Sequence, residues 1–525
     1  MIKTSNQGTT RGREGGGWVG AFMDVWYNSV LRSSSQTQLV TTSAVLAAVP
    51  LYFLARRVWQ QRRSSQLPYP PGPPGHWLLG NALEIREHTK QGGIVEDKFL
   101  EWIQQYGDVI TITVPVVGKL ILIADPELIK VIAVKKNLPK GRINNLILAL
   151  LGTESLVIID NQAWAPKRKT FNIGFAPDFL KGMVPTMVQK LHRFLACIDS
   201  DIQANEPTNM QLRAQTFTAD VIVAIAFGED WGGDKPHPAR LWLNEICNLT
   251  SGIIFDPMKN LFGFRTKWLV RKYERQIDDE MMKVLERRLA AGVSEDSKDI
   301  CSLAIADMKR QNGTLTRHDK VSITHQLKTF YFAGHETTAG TIAWATWSFS
   351  KHPHVLEKVR AELREHGVWT DWNAPPTYEQ LQKCVYLEAA IKETLRLYPP
   401  AGAVARRSLD ANESYNGYNL GGAALLLSIY TVHRLPKLWK NPDEFRPERF
   451  LDGSEEHLNT KFMPFSRGPR DCIGKYFALL EAKLGLSALA MRYDFECVNP
   501  DESLKNLLTL IPRDGAKVKF TRRVM

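Results

Sequence analysis

Residues 462–483 read FMPFSRGPRDCIGKYFALLEAK. One cysteine, Cys472, stands in a loop of Gly, Pro and Arg, and a strongly apolar helical pattern begins directly after it. A thiol at the mouth of a helix faces unpaired backbone N–H groups and the positive end of the helix dipole, so the spacing predicts a sulfur biased toward thiolate. Arg467, Arg470 and Lys475 push the same way. Gly468 and Gly474 let the backbone turn unusually or approach something bulky, and Phe465 offers an apolar cover for one side of the sulfur. From these residues alone three roles stay open. The cysteine is structural, the commonest fate of a free thiol; or a nucleophile with a base elsewhere in the chain; or a ligand to a metal or haem.

The rest of the chain narrows the setting. Its 525 residues allow a large core, and the apolar and charged fractions of 44% and 23% are ordinary for a globular protein. The cysteines at 197, 247, 301, 384, 472 and 497 are scattered with no CxxC pair, which excludes a disulfide framework and a structural zinc site and fits a reducing compartment. The net charge of +12 has no basic run interleaved with aromatics, so a nucleic-acid partner is not expected. It points instead to an anionic membrane or an acidic protein.

Residues 39–55, LVTTSAVLAAVPLYFLA, carry no charge and are followed by Arg56, Arg57, Arg62 and Arg63. As a helix they would reach roughly 25 Å, just short of a hydrocarbon core. We expect a single transmembrane anchor at 39–55 with the arginines on the cytosolic side and a lumenal leader at 1–38. The basic and proline-rich stretch 56–75, ending LPYPPGPPG, reads as a stiff hinge to a soluble body at 76–525.

That body is dominated by helical period. In ERQIDDEMMKVLERRLAAG, Ile277, Met281, Val284, Leu285 and Leu289 share one face, and Gly292 stops the run. HPHVLEKVRAELREHG repeats the pattern, and TYEQLQKCVYLEAAIKETLRLYPP opens on a Thr377…Gln380 capping box. Strand signals are short: 109–117 and 119–125 around Gly118, and the Asn416-Gly417 turn. The expected fold class is mainly α, one large helix-rich domain with small β-sheets.

One helix, KTFYFAGHETTAGTIAWATWSF (328–349), holds Gly334, Thr337, Thr338, Gly340 and Thr341 at its centre, all middling or poor helix formers. Glycine there leaves room beside a flat cofactor, a Thr hydroxyl can turn against a backbone carbonyl, and a neighbouring carboxylate can relay protons. HETTA is not a zinc-protease motif, because Ala339 stands where HExxH needs its second His. Glu393 and Arg396, three apart among apolar neighbours, can pair on one buried face.

The run Phe465-Ser-Arg-Gly468-Pro-Arg470-Asp-Cys472-Ile-Gly474 resembles the haem-binding signature of the cytochrome P450 monooxygenases, FxxGxRxCxG, complete at every fixed position. The resemblance implies the cytochrome P450 fold, haem b with Cys472 as axial thiolate, and Arg470 on a haem propionate, with Phe465, Gly468 and Gly474 in the cofactor loop. Residues 333–338, AGHETT, resemble the family's oxygen-binding motif, which implies that Thr337 and Glu336 deliver protons to dioxygen. Trp164 and Arg168 fit its WxxxR, whose members hold a propionate; Pro166 inside that spacing suggests a helix start near it. Arg406 is the expected second propionate partner, with Arg407 a rival, and Arg449 in PERF completes a structural cluster with Glu393 and Arg396. The sequence departs at HRLP, where Leu435 replaces the acid of the usual HRDP.

The implied reaction inserts one atom of O2 into a lipophilic small molecule, with electrons from NADPH. No GxGxxG follows a strand, so a separate NADPH–cytochrome P450 reductase is the expected partner, docking near Lys167, Lys169 and Lys475. The candidate pocket segments 146–151, 252–264, 401–405 and 508–512 are aliphatic or aromatic apart from Asp256 and Lys259. The style resembles fungal secondary-metabolism members, which implies a polyketide or terpenoid substrate and a single-pass endoplasmic reticulum protein with a cytosolic catalytic domain. The competing readings are a haem-thiolate isomerase or dehydratase acting on peroxides, and a non-catalytic haem-binding protein. The intact Glu336-Thr337 pair argues against both.

Overall fold

The computed structural model describes residues 67–523 apart from 116, 142–146, 233–236, 256–262, 293–298, 409 and 411–412. The leader, the anchor and the basic part of the hinge lie outside the described residues, as do Leu146, Asp256, Lys259 and most of the 252–264 segment. Among the described residues no helix is long and apolar enough to cross a membrane. The body from Tyr69 to the C-terminus forms one unit.

The longer helices are α1 (Ala82–Lys90), α2 (Val95–Tyr106), α3 (Asn161–Asn172), α4 (Pro177–Gln203), α5 (Met210–Ile222), α6 (Pro238–Phe255), α7 (Phe264–Ala291), α8 (Ile300–Asn312), α9 (Arg317–Lys351), α10 (Pro353–Glu365), α11 (Val385–Leu397) and α12 (Lys475–Arg492). The chain is thus mainly helical, as its periodicity predicts. On α7, Ile277, Met281, Val284 and Leu285 are buried and Gly292 caps the end with φ +78°. The expected single helix over 377–397 is two. A short helix, Tyr378–Lys383, starts on the Thr377/Gln380 capping box and ends at Cys384. The Glu362 carboxylate then accepts from the Tyr386 and Leu387 N–H groups (2.7 and 2.9 Å) and so starts α11 afresh. α3 begins at Asn161, not near Pro166: the Trp164 N–H reaches the Asp160 carbonyl at 2.8 Å, and the proline sits inside the helix.

Strands are short: β1 (Val109–Val114), β2 (Gly118–Ile123), β3 (Thr208–Asn209), β4 (Ala403–Arg407), β5 (Ser414–Tyr415), β6 (Tyr418–Asn419), β7 (Ala424–Ser428), β8 (Tyr493–Cys497), β9 (Leu504–Asn506), β10 (Leu510–Pro512) and β11 (Lys517–Arg522). The largest sheet has the order β1-β2-β7-β4, with β2 and β7 parallel and the outer pairs antiparallel. The expected hairpins form as β1–β2 and as β5–β6 around Asn416-Gly417, both at positive φ. The proline stretch is fastened to this sheet, since the Thr111 N–H donates to the Pro71 carbonyl at 2.8 Å.

The central element is α9, 35 residues and so about 52 Å long. It starts on a Thr316/Asp319 capping box and is buried on every side over most of its length. Such a helix has no polar face, which is why its sequence shows little amphipathic period. α5, α7, α11 and α12 pack on it, α4 packs on α5 and α12, and all share the larger apolar core; a second core lies between α2 and the β1-β2-β7 sheet.

Candidate active site

The loop before α12 is built by backbone before side chains. Gly468 takes φ +79°, and a Cβ there would stand 2.1 Å from the Ala133 carbonyl oxygen, so only glycine lets the loop lie against that segment. The Cys472 N–H then donates to the Phe465 carbonyl (2.9 Å), closing the loop. Phe465 packs partly buried against the larger core. Gly474 is the N-cap of α12 with φ −88°, an ordinary conformation, and a Cβ there would meet Cys472 Sγ at only 3.9 Å. Its value is its backbone, which hydrogen-bonds to the sulfur.

Cys472 is exposed, while Cys247, Cys301 and Cys384 are buried. A hollow of about 200 Å³ opens beside it, bordered by Phe175, Pro177, Asp471, Lys475 and Tyr476. Two opposing influences act on the Cys472 sulfur within the protein. Surrounding protein pushes the Cys472 thiol above its ordinary pKa; the Gly474 backbone and Arg168 pull down, but less. The helix dipole and arginines are present, and desolvation outweighs them.

Cations gather in the same region. Arg406, wholly buried on β4, spends Nη1 on the Ala405 carbonyl (3.0 Å), while Nε and Nη2 find no partner among the described residues. Arg470 donates through Nη2 to the carbonyls of Leu156 and Ile159 (3.1 and 2.8 Å) and lies 5.1 Å over the Trp164 ring. Lys140 bridges to Arg406 across the backbone. Burial brings Arg406 down to about 10, and burial with repulsion from Arg406 brings Arg470 down to about 10. Lys140 falls well below its usual value from burial and then from Arg406 and Arg470. Arg407, the rival, is instead satisfied by Asp160 at 3.1 Å. A buried cation with orphaned donors is costly, and a dianionic carboxylate group placed here would relieve it. The residues present therefore fit haem with its two propionates.

Arg406→Leu tests that fit. Apoprotein stability should hold or rise, because an unpaired buried charge is removed. Haem retention, followed by transfer to apomyoglobin, should weaken by about ten- to a hundredfold, the worth of one or two charge-assisted hydrogen bonds.

Arg168 of the WxxxR pattern lies near enough to Lys140 and Arg470 to repel both, and it is also tied to the cysteine loop. Its Nη1 donates to the Asp471 carbonyl (2.8 Å), Nη2 to Asp471 Oδ1 (3.3 Å) and Nε to Asn172 Oδ1 (2.8 Å). It braces the cysteine loop, and Trp164 lies between it and Arg470, 5.8 Å from the Arg168 guanidinium. Lys167 is bound to Glu154; of the three expected docking lysines, Lys475 borders the hollow and Lys169 is exposed on α3.

On α9, Ala333 is exposed and Thr337 half-buried on a helix otherwise closed in by protein. Thr337 Oγ1 donates to the Ala333 carbonyl at 2.7 Å, the inward turn its position predicts. Gly334 lets α9 pack closely on α5: a Cβ there would meet Ile222 at 2.8 Å. Glu336 is 3% exposed and faces α5, accepting from Gln215 Nε2 at 2.8 Å and Thr509 Oγ1 at 3.5 Å. Sequence reading missed Gln215 and Lys140, and it placed Thr509 only within the 508–512 pocket segment. None belongs to a motif, and only the crossing of α5 and the β9–β10 turn onto α9 brings Gln215 and Thr509 to the carboxylate. Glu393, Arg396 and Arg449 do meet, all wholly buried. Leu435 of HRLP is buried in the second core. Among the described residues no three His, Cys, Asp or Glu side chains gather as a metal-ion cage.

The chain matches the family model described as Cytochrome P450 over residues 70–520. It is 27% identical to cytochrome P450 4A24 of Sus scrofa over 91% of this chain and 95% of that protein. It is 28% identical to cytochrome P450 4A11 of Homo sapiens over 87% and 88%, and 27% identical to the taurochenodeoxycholic 6 alpha-hydroxylase of Sus scrofa over 87% and 90%.

Proposed function

The chain belongs to the cytochrome P450 family, and from that premise we propose that this haem-thiolate monooxygenase oxygenates a lipophilic small molecule, with Cys472 as its iron ligand. Haem b bound through a cysteine thiolate supplies the reductive activation of dioxygen. The observation that carries the assignment is the exposed Cys472 sulfur in one region with the buried, partly orphaned Arg406 and its neighbours Lys140 and Arg470. Arg406, Arg470 and Lys140 hold the propionates. Arg168, through Asp471, orients the cysteine loop. Thr337 and Glu336 manage the protons that dioxygen reduction consumes.

Substrate class follows from the lining. The described parts of the candidate pocket segments, 147–151, 401–405 and 508–512, are apolar but for Thr509 and glycine. A relative named for hydroxylating a bile acid conjugate supports an amphipathic or lipophilic substrate. Polyketides and terpenoids of fungal secondary metabolism, together with steroids, are the classes to screen. Incubating the chain with reductase, NADPH and a library of such compounds should give products heavier by one oxygen atom. Products confined to charged, water-soluble compounds would overturn the assignment.

Residues 39–55 anchor the enzyme in the endoplasmic reticulum membrane in a single pass, supported by their uncharged run and the four arginines behind it; release of the full chain by carbonate washing would refute this. Electrons come from a separate reductase that docks over the hollow beside Cys472. The double reversal Lys169→Glu with Lys475→Glu should slow first-electron transfer about tenfold at low ionic strength, and less as salt rises. Unchanged stopped-flow reduction rates would move the docking face elsewhere.

A further inference from the structure

Monooxygenation consumes two protons for each O2 (RH + O2 + 2e⁻ + 2H⁺ → ROH + H2O), and they must cross packed protein to reach a site under α9. Glu336 is 3% exposed, and its carboxylate is turned to the seam between α9 and α5. There it accepts from Gln215 Nε2 at 2.8 Å, while Thr509 Oγ1 stands at 3.5 Å and His335 Nε2 at 3.5 Å. Gln215 is only half-buried, so it joins the carboxylate to the outer part of the seam. One turn away on α5, Gln211 is 6% exposed, and neither its Nε2 nor its Oε1 has a protein partner among the described residues. Its Oε1 lies 3.9 Å from where a Cβ on Gly340 would stand, one turn beyond Glu336 on α9. The two glutamines thus run in step with positions 336 and 340 of the facing helix.

A buried amide with both ends unmade is costly, and native proteins meet that cost with bound water. We propose that α5 carries the proton supply of the reaction: Gln215 positions the Glu336 carboxyl at the seam, and Gln211 holds the water through which that carboxyl is reprotonated from solvent. The inference rests on the reading of Glu336 and Thr337 as the proton-handling pair. Gln215 and Gln211 are positioning residues in it, not catalytic ones.

The test needs no known substrate. With reductase and no substrate, O2 goes either to hydrogen peroxide, consuming one NADPH, or to two waters, consuming two NADPH and two further protons. Impaired proton delivery shifts the outcome toward peroxide. Gln215→Leu and Gln211→Leu, with haem loading checked by the CO difference spectrum, should raise the peroxide-to-water ratio by about tenfold, at the low end of what a positioned proton donor is worth. NADPH consumed per O2 should fall toward one, and the solvent deuterium isotope effect should grow. Gln215→His, whose Nε2–H can donate from about the same reach, should retain the parent ratio. A purely structural role would lower the thermal midpoint and leave the ratio alone, and that result overturns the proposal. For Gln211, a raised midpoint with an unchanged ratio would mean an unhydrated amide and overturns its part. Glu336→Gln separates the levels. If it leaves the ratio unchanged, the proton-handling reading itself fails; if it shifts the ratio and both Leu variants do not, the α5 route alone fails.

Discussion

Cys472→Ala should fold and fail to load haem: haem content falls more than tenfold, and the red-shifted Soret band of the CO-bound reduced protein disappears altogether. Six cysteines could in principle ligate iron, and the structure ranks them. Cys247 and Cys301 lie in the apolar core, where burial drives both thiols up and away from the thiolate. Cys384 is held up to about 11 by burial and by Glu362, and it sits in the break between two helices. Desolvation pushes Cys472 up as well, but it alone is exposed, and the Gly474 backbone hydrogen bond and Arg168 oppose the push. The side chain is small and open on one side, so truncation leaves little cavity and stability should change by less than about 1 kcal/mol. That separates lost ligation from lost folding, which far-UV circular dichroism of the variant would monitor. A variant that keeps the red-shifted band and oxidises substrate would remove Cys472 from the iron.

What could be read in advance divides along physical lines. The cysteine loop was legible because a tight backbone and its charges fall within ten consecutive residues, and Gly468 is required by a contact no other residue permits. Surface helices such as α7 and α10 were legible because one face is apolar and the other is not. α9 was not legible by period, being buried all round; its odd Gly and Thr content was the only sign. Roles that depend on which elements cross were out of reach. That Gly334 makes room for Ile222 of α5 could not be read from its motif. That Arg168 also braces Asp471 is not contained in its motif. Lys140 stands beside no motif and reaches the cation cluster only because residues 139–141 lie along β4. The dipole and arginines around the thiol were legible because they are local in sequence, while the opposing desolvation is a property of the assembled fold.

Glu393→Ala should be the most destabilising single change described, by about 3–5 kcal/mol, because it strands two buried guanidiniums. Glu393 has no exposed surface and meets Arg396 Nε at 2.8 Å, Arg396 Nη2 at 2.9 Å and Arg449 Nε at 2.9 Å. It also accepts the Arg446 N–H at 3.0 Å. The two arginines in turn bind carbonyls at His433 (2.9 Å), Pro442 (2.6 Å) and Lys440 (3.1 Å), so the carboxylate anchors the whole 433–449 segment to α11. Glu455 can compensate only Arg449, and Lys461 already shares it. The damage should also reach the haem. His433 is kept neutral, down to about 3, by burial and by Arg396 and Arg434, and as a neutral ring its Nε2 accepts the Met463 N–H at 2.9 Å, just before the cysteine loop. Releasing Arg396 loosens His433, and with it the run from Met463 to Cys472. Glu393→Gln keeps the acceptors and loses the charge, and should fall between the parent and Ala. Guanidinium unfolding midpoints read the stability, and haem transfer to apomyoglobin reads the coupling. A loss below about 1 kcal/mol would show that the cluster is hydrated and exposed in solution, and a large loss with unchanged haem retention would break the link through His433.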